Sequence, residues 1–435
     1  MLQIADKKVR DLLFQGAFGL EKEGLRVTED GRFAHSMHPF RDDAHIVRDF
    51  SENQTEINTG ISTNAKGALK ELEKYTSIIH KTLDGLPEKE YLWPFSNPPY
   101  IENEEDIPIA VFEGEQYEKT VYRKYLSDRY GRYKMSLCGI HVNYSFSEEL
   151  LQAAFAVDEE NDFQTFKDQL YLHVAEGMAA YGWIVTAVTA ASPVMDGSYM
   201  EKRMKGKDMF LGMASVRCGE LGYWNHFAPT LDYSSVEAYA DSVEQYVQEG
   251  LISYPSELYY PIRLKPKGEN SLHALREGGV NHIELRMVDL NPLTYAGVEE
   301  KDILFIQLLL IWLAATPIPH LGKKEQVQAV QNFKNAAHYD LKTVKILTPE
   351  GESCSVASAG LQIIEKMKEF YRDFSKETLE ILEFTEAKFL YPEKRYAWIV
   401  QEQFGEGYMQ KGLEWARKRQ TEGCKWKERN SSALD

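Results

Sequence analysis

The sequence predicts one large α+β domain, in which strands with a polar face present chemistry and helices supply much of the core. Three observations carry this. First, polar and apolar residues alternate strictly from His282 to Met287, the period-two signature of a half-buried strand. Such a strand sets His282, Glu284 and Arg286 on one face, with Ile283, Leu285 and Met287 in a core behind them. Second, Leu137 to Phe146 repeats the layout: His141, Asn143 and Ser145 share one face, and Ile140, Val142, Tyr144 and Phe146 share the other. Third, the spacing predicts a helix from Asn64 to about Leu83, since Ala65, Leu69, Leu72, Tyr75, Ile79 and Leu83 recur at three- and four-residue steps. No composition shift marks a linker anywhere in the 435 residues, so 1–435 reads as a single unit.

Charge and cysteine usage exclude several function classes. Lys and Arg number 50 against 67 Asp and Glu, a formal charge of −17, and no basic run of useful length occurs. That balance argues against nucleic-acid binding and leaves acidic side chains for a cation to neutralise. Cys138, Cys218, Cys354 and Cys424 are scattered, which fits a reducing compartment and argues against a thiolate zinc site. The amino terminus has no basic segment followed by an apolar one, so no signal peptide is expected, and the location expected is cytoplasmic. The most apolar run, Ile303 to Thr316, is broken by Gln307 and closed by Pro317. It is too short for a membrane span and reads as a core helix.

Taken in order, Leu2 to Gln15 predicts a short amphipathic helix. The strand from Gly19 to Val27 then sets Glu21 and Glu23 on one face, where two carboxylates repel unless a cation or solvent intervenes. That pair suits a magnesium site and equally a plain solvated strand. Asp49 and Glu56 are seven apart, so one straight strand points them to opposite faces. Both serve one site only if Asp49 lies on a preceding turn or a bulge intervenes. Val121 to Leu126 reads as helical, as do 163–181 and 235–249. Residues 196–212 are rich in Gly, Met and Lys and read as a mobile entry loop. Arg217 precedes a glycine-punctuated turn; its guanidinium suits a two-pronged grip on a carboxylate or an ordinary surface position. Residues 257–263 are strand-like, followed by a loop from Lys265 to Asn270. Beyond His320 the chain reads as helical scaffold, notably 361–382 and 396–418.

Together these segments resemble the bacterial glutamate–cysteine ligases, relatives of glutamine synthetase. The resemblance rests on GLEKEGLRV from Gly19, DFSENQTEI from Asp49, YRKYLSDRYG from Tyr122 and GIHVNYS from Gly139. It continues through ASP from Ala191, SVRCGELGYWN from Ser215, ELYYPIR from Glu257 and GGVNHIELRMVDLNP from Gly278. These occur in the family's order over roughly residues 19 to 300. Nothing beyond about 320 matches, and no carboxy-terminal ATP-grasp extension is expected.

The resemblance implies a curved, mostly antiparallel sheet forming an open-ended funnel with helices outside, holding ATP, two to three magnesium ions (or manganese) and glutamate. It implies Glu21, Glu23, Asp49, Glu56, His141 and Glu284 as metal ligands, Arg286 on the transferring phosphoryl group, Arg217 on glutamate, and Arg123 at phosphate or substrate. Phe50, Tyr122, Leu126, Tyr223 and Tyr259 match the pocket for the cysteine side chain. The chain is expected to act as a monomer or weak homo-oligomer, with no nucleic-acid or membrane partner.

The implied chemistry explains the residue types. A carboxylate resists attack by an amine because its carbon is electron-rich and its leaving group is oxide; phosphorylation supplies a better one. Carboxylates hold magnesium, and a guanidinium offsets charge on the phosphoryl group. Three other readings compete: a sister ligase using another amine, a metal-dependent hydrolase, and a module that binds ATP without turnover. The absence of an H-E-x-x-H motif and the presence of Arg286 beside the carboxylates disfavour the hydrolase.

Overall fold

The computed structural model describes residues 1–40, 43–200 and 204–431, apart from the side chains of 427–431. Its centre is a seven-stranded sheet built on β1 (Gly16–Thr28). The other members are β2 (Ile46–Arg48), β3 (Gln54–Asn58), β4 (Glu90–Leu92) and β5 (Gly139–Phe146). A separate hairpin of β6 (Val194–Asp196) and β7 (Asp208–Phe210) precedes the last two sheet strands, β8 (Ile262–Lys265) and β9 (His282–Asp289). The strand order is β2-β3-β1-β5-β9-β8, with β4 pairing the end of β1, and each of these pairings is antiparallel.

Register carries the alternation of one strand onto the next, because directly opposed residues share a face. Ile140, Val142, Ile283 and Leu285 are fully buried on the apolar side. That side packs against the helices Ala65–Asp84, Phe163–Tyr181 and Trp183–Thr189. The apolar run after residue 300 forms the Glu300–Ala315 helix, buried almost throughout, as its composition predicts. Among the described residues no helix is long and apolar enough to cross a membrane.

The parity problem between Asp49 and Glu56 is resolved by a turn. Strand β2 ends at Arg48, Asp49 stands just beyond it, and β3 starts only at Gln54. Arg26 pins this turn to β1: its guanidinium donates to the Glu52 carbonyl at 2.9 Å and to the Glu90 carboxylate at 2.7 Å. The Arg26 and Glu90 side chains are 0% and 3% exposed. Removing one partner strands a buried charge, so Glu90→Ala is expected to cost about 3–5 kcal/mol in a denaturant-unfolding measurement. A loss below 1 kcal/mol would show that the pair does not anchor the turn.

Several elements differ from expectation, each for a local reason. The stretch 361–382 is two helices, Val356–Tyr371 and Lys376–Leu390, because Ser375 caps a new start by accepting from the Thr378 amide. The stretch 396–418 breaks at Gly405–Gly407, where Gly407 adopts φ +74°, before the Tyr408–Ser431 helix begins. Within the expected entry loop, residues 201–203 lie outside the described residues. The rest includes the β6–β7 hairpin, whose Asp208 carboxylate accepts from the Gly407 and Tyr408 amides. None of its described residues lines the main cavity; its partners include the start of the carboxy-terminal helix, Glu102 through Lys205, and Tyr339 through Phe210.

Candidate active site

The sheet register assembles the polar face. Glu23 lies opposite Glu56, Glu21 opposite His141, Asn143 opposite Glu284, and Glu284 opposite Arg263. One row of functional groups therefore runs across β3, β1, β5, β9 and β8. Between Ile140 and Val142 the β5–β9 pairing slips by one residue, a bulge that falls beside Arg286 and Met287. Both of those residues reach the same cavity, in keeping with the way bulges re-aim side chains next to sites.

The cavity holds about 290 Å³ and is lined by Glu21, Glu23, Asp49, Glu56, His141, Glu284, Arg217 and Arg286. Phe50, Tyr122, Leu126, Tyr223 and Tyr259 line it as well. Every candidate named from the sequence is therefore brought to one place, with a single exception. Arg123 is not among the lining residues; its guanidinium donates to the carbonyls of Asp49 and Lys119 and stacks on Phe112.

At the centre, His141 Nδ1 lies 2.8 Å from Glu21 Oε2 and 3.5 Å from Glu284 Oε1. One ligand atom from each of these three residues lies within 4.8 Å of the others, spacing that a divalent cation can bridge. Glu284 Oε2 is buried without a hydrogen bond, the position a hard cation would satisfy. Glu21 also accepts from Asn143 Nδ2 at 2.9 Å, and Glu23 from the Gly139 amide at 2.7 Å.

Environment separates the carboxylates. Burial works against the charge of Glu284, but Arg286 and then Lys265 more than reverse it, leaving this group well below the usual carboxylate range. Glu21 is also lowered: burial raises it, but the hydrogen bond to His141, with the charges of His141 and Lys265 added, more than offsets burial and the repulsion from Glu284. Glu56 goes the other way: burial, reinforced by Asp49, Glu21 and Glu23, pushes it well up. Burial raises Glu23 too. So many acidic groups facing one space are a poor apo arrangement and a good one for a site that gathers cations.

Arginine placement is equally specific. Arg286 Nη1 donates to Glu284 Oε1 at 3.1 Å, so the strand holds its guanidinium beside the carboxylates. Arg217 Nη1 donates to the Arg286 carbonyl at 2.6 Å, and its Nη2 lies 3.5 Å from His141 Nε2. A Cβ at Gly139 would stand against the Arg217 guanidinium carbon, so a larger residue there would displace this guanidinium. The turn bearing Arg217 is fastened by buried Asp289, which accepts from Ser215 Oγ, Ser192 Oγ and the Ala191 amide.

Sequence reasoning missed four groups. Arg263 and Lys265 alternate on β8 and line the cavity, with Lys265 Nζ 3.5 Å from Glu284 Oε2; their period-two spacing was the available signal. Asp289 and Glu257 act from behind the lining. Fully buried Glu257 accepts from Tyr125 Oη at 2.9 Å and Tyr130 Oη at 2.6 Å, and pairs with Arg129 at 2.8 Å. It thereby joins the Tyr117–Tyr130 helix, which carries Tyr122 and Leu126, to the segment carrying Tyr259.

Known proteins share this arrangement of chain. A model of the glutamate-cysteine ligase family matches residues 1–256 and, in a second overlapping segment, 229–336. The glutathione biosynthesis bifunctional protein GshAB of Listeria monocytogenes is 35% identical over 422 residues, covering 93% of this chain and 54% of that protein. Likeness thus runs well past residue 320, where the sequence motifs stopped. A bifunctional glutathione synthetase from Pasteurella multocida superposes with a TM-score of 0.83 at 26% identity, covering 97% of this chain and 55% of that one. The glutamate–cysteine ligase of Francisella tularensis, solved with AMP, gives 0.84 at 23% identity over 94% and 89% of the two chains, a likeness of fold. The chain spans about half the length of the curated relatives it matches.

Proposed function

This chain belongs to the glutamate–cysteine ligase family, and from that premise we propose that it joins the γ-carboxylate of L-glutamate to the amine of L-cysteine. ATP is consumed, and γ-glutamylcysteine, ADP and phosphate are released. One observation supports this above the rest: a metal-competent triad of Glu21, His141 and Glu284 shares its cavity with Arg286, Arg217 and an aromatic wall.

In this reading Glu21, Glu23, Asp49, Glu56, His141 and Glu284 hold two to three Mg²⁺ ions, or Mn²⁺. Bound there, those ions would offset the repulsion between ATP and the γ-carboxylate. Arg286, kept charged by Glu284 despite burial, stabilises the phosphoryl group in transfer. Arg217 grips glutamate. Arg123, tied to the Asp49 carbonyl, positions that ligand at the phosphate end. Phe50, Tyr122, Leu126, Tyr223 and Tyr259 receive the cysteine side chain while its amine displaces phosphate. The sheet forms one side of an open-ended funnel with helices outside. Residues 321–435 serve as scaffold within one catalytic unit of 1–435, which works in the cytoplasm as a monomer or weak homo-oligomer.

The test incubates the protein with ATP, Mg²⁺ and glutamate against a panel of amines, and identifies the product by mass. γ-Glutamylcysteine, with ADP release dependent on both glutamate and cysteine, is expected. A different γ-glutamyl amide would identify a sister ligase. ADP release without an amine would point to a hydrolase.

Glu257 sets the shape of the aromatic wall without touching substrate. Losing its charged hydrogen bonds is expected to loosen the wall by about 1.5 kcal/mol, roughly tenfold. Glu257→Gln should therefore raise KM for cysteine about tenfold and leave KM for ATP unchanged. Equal changes in both constants would show a general disturbance instead.

A further inference from the structure

Lys22 lies on β1 between Glu21 and Glu23, and alternation turns it to the opposite side of the sheet. There it enters a small cavity that the proposed reaction does not use. Thr76 and His80 of the Ala65–Asp84 helix, Asn291 and Tyr295 of the loop after β9, and Arg419 of the Tyr408–Ser431 helix complete its polar walls. The space is about 20 Å³, enough for one small occupant.

Of the polar atoms facing this space, Lys22 Nζ, Asn291 Nδ2 and Arg419 Nε only donate, while the Thr76 and Tyr295 hydroxyls and the His80 ring donate or accept. Lys22 Nζ has Thr76 Oγ1 at 3.3 Å. Asn291 Nδ2, Arg419 Nε and His80 Nδ1 are buried without partners. The Asn291 and His80 side chains belong to residues only 2% exposed. No carboxylate lines the cavity. Glu422 is engaged by Arg419 Nη1 at 2.8 Å, and Glu73, the acidic group acting on Lys22, is hydrogen-bonded by Trp426. A water molecule here has only two lone pairs to offer the three groups that only donate. An anion accepts from every donor at once.

We propose that this cavity binds a small monovalent anion of chloride size, held by the Lys22 ammonium, the Asn291 amide and the Arg419 guanidinium. The local field supports the assignment. Burial, then Lys22 and Arg419, lowers His80 to about 3. A buried cation in a positive field is costly alone, and an adjacent anion relieves it. Arg419 lies beyond the family-matched segments, so the carboxy-terminal helix closes a site that those segments only begin.

Bromide is the probe. Crystals soaked in sodium bromide are expected to give an anomalous peak between Lys22, Asn291 and Arg419. In solution, the thermal midpoint should be about 1–2 °C higher in sodium bromide than in sodium gluconate of equal ionic strength. Asn291→Asp installs a carboxylate in the cavity and should abolish both signals; Lys22→Met should do the same where it folds. A water with no anomalous signal in the wild-type cavity, with equal midpoints in the two salts, overturns the proposal. So does a bromide response that survives unchanged in Asn291→Asp.

Discussion

Arg286→Ala is expected to lower kcat by about 10³-fold or more while the protein still folds. Its guanidinium is the strand-borne cation nearest Glu284, and its side chain keeps 23% exposure because it faces the cavity. Truncation there opens no core void, and Lys265 remains as a counter-charge for Glu284. Circular dichroism should match the wild type, and the thermal midpoint should stay within a few degrees. KM for ATP should rise far less than kcat falls, because the lost interaction belongs to the transition state. Arg286→Lys keeps a charge but not the planar fork, so it should recover only part of the rate. Loss of soluble protein, or a variant with near-normal kcat, would contradict this role.

Glu56→Gln is expected to yield a more stable and nearly inactive protein. Burial and the neighbouring Asp49, Glu21 and Glu23 push this carboxyl well above its ordinary range. A raised acid contributes stability below its unfolded value of about 4.3, and that contribution is lost as pH rises toward the folded value. The advantage of glutamine should therefore be absent near pH 4 and grow to about 1–2 kcal/mol near pH 8, read from denaturant midpoints without divalent metal. Added Mg²⁺ should stabilise the wild type more than the variant, because one ligand is gone. Turnover should fall about 10²-fold. A variant that is less stable at pH 8, or that responds to Mg²⁺ as the wild type does, would contradict the cation-gathering reading.

The half-buried strands were the most legible part of the chain. Around Glu21, His141 and Glu284, one side of the strand must be apolar and the other is free to carry chemistry, so period two survives in the sequence. Short strands buried on both faces leave no such mark, and Glu90–Leu92 went unread for that reason. Lys265 was placed in a loop because the β8 pattern is only four residues long. The turn that reconciles Asp49 with Glu56 was foreseen as a requirement; that Arg26 holds it depends on partners 26 and 64 residues away. Asp289 and Glu257 were illegible for a related reason: their partners come from distant segments, and neither lines the cavity. The break within the helical stretch 361–382 went unread because Ser375 is a cap, a local signal outweighed by the apolar period around it.

Oxygen transfer tests the central chemistry most directly. Glutamate labelled with ¹⁸O in its γ-carboxylate should be turned over with ATP, Mg²⁺ and cysteine, and the released phosphate weighed by mass spectrometry. If the carboxylate attacks the phosphoryl group, each phosphate carries one ¹⁸O. Phosphate released without label, while product still forms, would contradict a γ-glutamyl phosphate and the account built on it.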